Sequence, residues 1–210
     1  MLQSELNILF EDQDIMVVSK PPYLLSVPGR LAFKKDSIRS RVQKVHPQAW
    51  EAHRLDWETS GIMVLGLHKQ AHRALSIQFQ DRKTQKRYIA MVDGHVAKDE
   101  FTIDVPICFD YINRPLQKVD FDEGKPSQTI VKLDKYYKNA SRVILTPITG
   151  RSHQLRLHLT HIGHAILGDG LYANPSQLLR AGRLMLHAEE LSFSHPMTDE
   201  PMTITNKAPF

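Results

Sequence analysis

Cysteine is nearly missing from this chain. Cys108 is the only one in 210 residues, which excludes a disulfide framework and any CxxC zinc site and suits a reduced, intracellular setting. Long apolar runs are missing too, since the longest fall far short of the roughly 20 residues that span a bilayer. The first residues, MLQSELNILFEDQD, carry acids where a secretory leader needs a basic start and a continuous apolar stretch. These absences make a cytoplasmic protein with no membrane partner the expectation. No GxxxxGK[ST] or GxGxxG segment is present to cradle a nucleotide phosphate, so no organic cofactor is expected. No serine sits in a G-x-S-x-G elbow. His158, His161 and His164 recur three apart and His153 precedes them, yet they lack the acidic or cysteine partners and the HExxH arrangement of zinc sites. No metal is expected, and these histidines read as helix-end donors or as contacts to RNA.

The residues that are present describe an ordinary globular protein, 41% hydrophobic and 24% charged. No repeat, low-complexity segment or long linker interrupts residues 1–210, so a single domain, at most of two lobes, is expected. The net charge of +4 leans toward a polyanionic partner. Its distribution says more than its sum. Arg30, Lys34, Lys35, Arg39, Arg41 and Lys44 form one basic block and Arg82, Lys83, Lys86 and Arg87 another, whereas only Lys207 is basic after Arg183. Each block alone reads as a solvated face; two blocks flanking one motif also suit a phosphate-binding surface.

Periodicity sets the fold class. NILFEDQDIMVVSKPP reads as two strands around an acidic turn, stopped by Pro21 and Pro22. DSIRSRVQKVHP reads as a helix capped by Asp36, with Ile38, Val42 and Val45 on one face and Pro47 as its stop. GIMVLGL is a short apolar strand. QAHRALSIQFQDRKT is an amphipathic helix, and QKRYIAMVDGHV alternates as a strand, Tyr88, Ala90 and Val92 against Ile89 and Met91. Residues 100–148 read as strands broken by Pro106, Pro115, Gly124 and Pro126, and SRVILTPITG as one more strand. RSHQLRLHLTHIG follows as a helix with Leu155, Leu159 and Ile162 at helical spacing and Gly163 at a left-handed C-cap. More strands than helices, joined mostly by turns, predict an α+β fold with a mixed, largely antiparallel central sheet.

The densest chemistry lies in EAHRLDWETSGIMVLGLHK, residues 51–69, where ionisable and hydroxyl groups crowd the mouth of an apolar strand. Asp56 in this stretch and Arg151 in TGRSHQLR each lie in a polar loop beside a strand. A carboxylate near an arginine is favoured in its charged form, which makes it a weak acid but a useful nucleophile or general base. An ordinary salt bridge, or turn capping, explains the same two residues equally well.

The longer motifs add a resemblance. HRLDWETSG, KRYIA and TGRSHQLRLHLTHIGHAILGDGLY are similar to the three motifs of the RluA family of RNA pseudouridine synthases. VVSKPPYLLSVPGR, NRPLQKV, GKPSQT and LHAEELSFSHP extend the likeness over almost the whole chain, closest to the subgroup acting on both 23S rRNA and tRNA. Tyr23, Ser127 and Ala173 depart from the pattern, where glycine, alanine and glycine are common. The resemblance implies the pseudouridine synthase catalytic fold without a preceding S4-type domain, an active-site cleft across the sheet, and isomerisation of uridines flipped out of structured RNA. It implies Asp56 as the essential carboxylate, Tyr88 against the flipped uracil, Arg151 as partner of Asp56, Leu155 as apolar floor, and Arg54 filling the gap or touching the nucleotide. Stem-loops of 23S rRNA and tRNA are the implied partners of a monomer. A non-catalytic RNA-binding role and a metal-dependent RNA hydrolase remain as rivals.

Overall fold

The computed structural model describes residues 6–210. In chain order its elements are β1 (Asn7–Glu11), β2 (Ile15–Lys20), a 3-10 turn (Ala32–Lys34), α1 (Ile38–Val42), β3 (Trp50–Glu51), β4 (Ser60–Gly66) and α2 (Lys69–Gln80). There follow β5 (Gln85–Asp93), β6 (Glu100–Asp104), β7 (Ile107–Phe109), β8 (Gln117–Val119), β9 (Gln128–Tyr137) and β10 (Ala140–Pro147). The last are α3 (Gln154–His161), α4 (Pro175–Leu178), β11 (Leu186–Ser194) and β12 (Pro201–Thr205). Strands dominate and pair largely antiparallel in a mixed central sheet, as the α+β reading requires. No helix among the described residues is long and apolar enough to cross a membrane.

The chain divides into two compact units, residues 1–86 with 188–209 and residues 87–187 with Phe210. In the first, β1, β2 and β4 pair in that order, β3 adds to the end of β4, and β12 pairs with β11. Every residue of β4 is buried, so this strand is covered on both faces, which explains its unbroken apolar sequence. Ile15, Val17, Ile62 and Val64 form the unit's core with Leu75 of α2 and Leu191 and Phe193 of β11. Each fully buried aliphatic side chain in this cluster contributes roughly 1.5–3 kcal/mol. Gly61 is forced by that packing: its φ is +118°, and a Cβ there would lie 2.2 Å from the Ala188 carbonyl oxygen.

In the second unit β5, β10, β9 and β6 pair in that order, while β7 and β8 make a separate hairpin. Its core joins Ala90, Val92, Val131, Val143 and Leu145 to Leu155 and Leu159 of α3. Ile89, on the opposite face of β5, is also buried, so the expected alternation does not mark one wet face. Gly163 ends α3 with φ +84°, as the sequence predicted.

Two local expectations fail. Ser37, not Asp36, caps α1: its hydroxyl accepts the Ser40 N–H at 3.1 Å, while the Asp36 carboxylate receives Arg41 Nε at 2.8 Å. The helix ends at Val42, which leaves Val45 exposed rather than packed beside Ile38. The helix starts one residue later than the Asp36 cap requires, so Ser37 holds the N-cap position and the Asp36 carboxylate is left to Arg41.

Candidate active site

Asp56 lies half-buried in the loop between β3 and β4, and both of its neighbours are tethered. Before it, the Ser26 hydroxyl donates to the Leu55 carbonyl at 2.6 Å and accepts the Leu55 N–H at 3.0 Å. After it, Lys20 is fully buried, and its Nζ donates to the carbonyls of Trp57 at 3.1 Å, Leu24 at 2.7 Å and Pro21 at 2.9 Å. The Tyr23 N–H donates to the same Trp57 carbonyl at 2.8 Å, and Thr59 N–H closes the loop on Asp56 O at 3.2 Å. A buried ammonium is costly unless its donors are satisfied, so segment 20–26 and the Asp56 loop are held as one piece.

His53 anchors the front of this loop. Its Nε2 accepts the Val64 N–H of β4 at 3.2 Å, and its ring stacks on Phe79 of α2 with centroids 4.5 Å apart. Burial, with a smaller contribution from the Lys86 charge, pushes its pKa down to about 3, so the ring is neutral and able to accept. Arg54, next along, is exposed. The roles of Lys20, Ser26 and His53 escaped sequence reasoning. The only signal for Lys20 was a lysine closing an apolar strand directly before two prolines.

The second unit carries the other expected residues. Tyr88 on β5 stands opposite Leu145 of β10 and packs, partly buried, on the same apolar cluster that contains Leu155. Tyr88 and Leu155 are therefore brought together. Arg151 lies between β10 and α3, where its backbone is fixed by Gln154. That buried amide accepts the Thr149 hydroxyl at 2.7 Å and the Arg151 N–H at 3.0 Å, and its Nε2 donates to Gln128 O at 2.9 Å and Thr129 Oγ1 at 3.0 Å. The Arg151 side chain donates from Nε to Pro126 O at 3.3 Å.

One buried ion pair in this unit was not expected. Arg156 and Asp169 are 2% and 0% exposed, and Arg156 Nε donates to Asp169 Oδ2 at 2.8 Å. Asp169 also accepts the N–H groups of Leu171 and Tyr172 at 2.8 and 3.1 Å, and the Tyr172 hydroxyl lies 2.8 Å from His153 Nδ1. The start of α3 is thus braced from below. GRSHQLR and LGD were visible as motif, but their arginine and aspartate are 13 residues apart in sequence and showed no sign of pairing.

The histidines divide. His158 is fully buried, with Nδ1 3.0 Å from Thr129 Oγ1 and Nε2 3.1 Å from Ser127 Oγ. Burial lowers its pKa. An RNA contact is thereby overturned for His158, and Ser127 acquires a reason, since its hydroxyl faces that ring. Among the described residues, metal-ligand spacing is found at Asp12, Asp14 and His195. His195 Nε2 meets Asp12 Oδ2 at 2.9 Å, while its Nδ1 accepts the N–H groups of Met197 and Thr198 at 3.4 and 3.2 Å. That leaves the ring proton on Nε2, where a cation would have to bind. A metal-bound histidine instead donates from its second nitrogen, so this set fits a hydrogen-bonded clasp rather than a metal. Burial of Asp12 works against its charge, yet the N–H groups of Ile15 and Asp14 and the His195 ring hold its pKa below the usual carboxylate range.

The basic blocks are only partly available to phosphate. Arg41 pairs with Asp36 at 2.6 Å, and Arg39 lies 3.4 Å from Glu51 and over the Trp50 ring. Burial lowers the Lys86 pKa. No carboxylate among the described residues pairs with Arg30, Lys34 or Lys35.

Comparison with known proteins bears on what these groups do. Residues 14–161 match the family described as RNA pseudouridylate synthase. The chain is 50% identical over 206 residues to the dual-specificity RNA pseudouridine synthase RluA of Escherichia coli (strain K12), covering 98% of this chain and 94% of that protein. It is 49% identical over 204 residues to the protein of the same name from Yersinia pestis, covering 97% and 99%. Among solved structures, human RNA pseudouridylate synthase domain containing 1 superposes with a TM-score of 0.83 at 28% identity, covering 98% of this chain and 84% of that one. Human RNA pseudouridylate synthase domain containing 4 gives 0.77 at 24% identity, over 97% and 88%, and speaks for the fold alone.

Proposed function

Because the chain belongs to the RNA pseudouridylate synthase family, we propose that it isomerises uridines to pseudouridine in stem-loops of 23S rRNA and tRNA, with Asp56 as the essential carboxylate. The reading rests on one observation: the loop carrying Asp56 is tethered on both sides, by Ser26 at Leu55 and by buried Lys20 at Trp57. A group that must act on a reacting base benefits from such restraint, because misplacement by about 1 Å can cost roughly 100-fold in rate.

The reaction breaks the N1–C1′ bond of uridine, turns the uracil, and forms a C5–C1′ bond. C5 gives its proton to solvent and N1 acquires one, so no redox partner, metal or organic cofactor enters the balance. The target nucleotide has to leave the stack and enter a pocket. Asp56 acts there as an anion, as nucleophile or general base, and Arg151 serves in substrate binding. Tyr88 offers the uracil a flat face that suits any orientation of the turning base. Leu155 supplies apolar surface, and exposed Arg54 fills the gap in the RNA or contacts the displaced nucleotide.

The family match runs through both compact units, which supports residues 1–210 working as one catalytic domain. A cytoplasmic monomer is the proposed form, since 23S rRNA and tRNA are met there. Mapping pseudouridines in both RNAs from cells with and without the gene tests the assignment. Loss at specific stem-loop uridines is expected; identical maps contradict it.

A further inference from the structure

Tyr23 is in a backbone conformation that its side chain disfavours. Its φ is +63°, in the left-handed region that suits glycine, and a bulky residue there is an outlier. The strain is sustained by the segment's tethers: Tyr23 N–H donates to Trp57 O at 2.8 Å, and Lys20 holds the carbonyls on either side. What the conformation achieves is the placement of a ring. Tyr23 is 47% exposed and Trp57 52% exposed, and the two rings meet edge to face with centroids 5.3 Å apart. Trp57 directly follows Asp56 in the chain. Aromatic area left in water beside a reactive carboxylate, and held there against backbone preference, does little for the core of this unit.

We infer that the Tyr23–Trp57 pair is a stacking subsite for an unpaired base next to the target uridine, and so sets which RNA loops this chain prefers. The inference rests on the activity proposed above and adds to it a subsite built from Tyr23, outside the three motifs, and Trp57, within the first of them. Three observations favour a nucleotide as occupant. The pair adjoins Asp56, where the displaced uridine has to be. Every base offers a π-face to such rings, so stacking works without a fixed hydrogen-bond code. The same segment continues into Arg30, Lys34 and Lys35, none paired with a carboxylate among the described residues, which suits the phosphates of a nucleic acid strand.

The test uses the full chain with a fluorescein-labelled RNA stem-loop carrying uridine in its loop. Tyr23→Gly relieves the left-handed strain, Tyr23→Asn tolerates the conformation without a ring, and Tyr23→Phe keeps the ring. Both ringless variants should weaken binding by about 5- to 150-fold, the range for one stacked base. KM should rise in parallel and kcat change much less, while Tm stays level or rises. Tyr23→Phe should match the parent, and Trp57→Ala should weaken binding as the ringless variants do. Unchanged affinity in both ringless variants overturns the subsite. A fall in Tm with parallel losses of kcat and affinity overturns it too, and reassigns the ring to structure. A dimer of the parent chain that Trp57→Ala dissolves, with RNA affinity intact, makes a second copy the occupant and likewise refutes the proposal. Failure of the parent chain to form pseudouridine would strike the activity reading, whereas the affinity comparison reports on the subsite alone.

Discussion

Lowering the pH should loosen the Asp56 loop through His53, and the size of the effect can be worked out. The folded ring is neutral because it accepts the Val64 N–H and lies against Phe79, with its pKa pushed down to about 3. In the unfolded chain the same ring takes up a proton near the ordinary value of 6.5. A base whose pKa is depressed by folding contributes stability above the unfolded value and loses that contribution as pH falls toward the folded one. Between about pH 7.5 and about pH 5.5 the unfolded state gains nearly one proton and the folded state almost none, so stability should drop by about 1.4 kcal/mol. For a chain of this size that is about 3–6 °C in Tm. Thermal unfolding of the parent and of His53→Gln at both pH values isolates the effect, because glutamine keeps an acceptor but does not titrate. The depressed pKa of His158 tilts both proteins in the same direction and cancels in the difference. Asp12, held below the usual carboxylate range, titrates outside the window. Equal pH dependence in the two proteins would refute the reasoning.

Three further outcomes follow from other parts of the molecule. Asp169→Asn should strand the buried Arg156 charge and cost about 3–5 kcal/mol in urea unfolding, whereas Asp169→Leu combined with Arg156→Met should cost less than either single change. Tyr88→Phe should retain turnover, since the ring remains, while Tyr88→Leu should lose about 5- to 150-fold on an RNA stem-loop, and near-normal turnover in the leucine variant would remove Tyr88 from the site. Changing Lys34 and Lys35 together to alanine should weaken RNA binding and flatten its salt dependence by about 0.7–0.9 log units per tenfold salt for each phosphate that is no longer neutralised; an unchanged slope would put the RNA on another surface.

Much of this was legible because the relevant signals are local. The apolar run of β4 and the spacing of Leu155 and Leu159 in α3 report burial directly. The site motifs are contiguous and were visible in the same way. What sequence did not disclose depends on partners distant in the chain. Ser26 and Leu55 are 29 residues apart, Lys20 and Trp57 are 37 apart, and no periodicity links them. The Asp36 cap failed for a local reason, since Ser37, the next residue, can cap as well and forms a reciprocal pair with Ser40. Of the two roles open to His158, contact with RNA is excluded because Ser127, Thr129 and the Val105 carbonyl, all distant in sequence, enclose the ring. Tyr23 stood out in sequence only as a departure from the family pattern; its left-handed backbone and its packing against Trp57 required the structure.

Tritium release from C5-labelled uridine reports pseudouridine formation directly, because joining C5 to the sugar expels the hydrogen it carried. Asp56→Asn is the decisive variant: asparagine is nearly isosteric and hydrogen-bonds similarly, but it is neither an anionic nucleophile nor a carboxylate base. The parent chain should release label on 23S rRNA and tRNA stem-loops, and a folded, RNA-binding Asp56→Asn protein should release essentially none. Substantial release from that variant, with only its stability reduced, would make Asp56 a structural ion-pair partner and contradict the account.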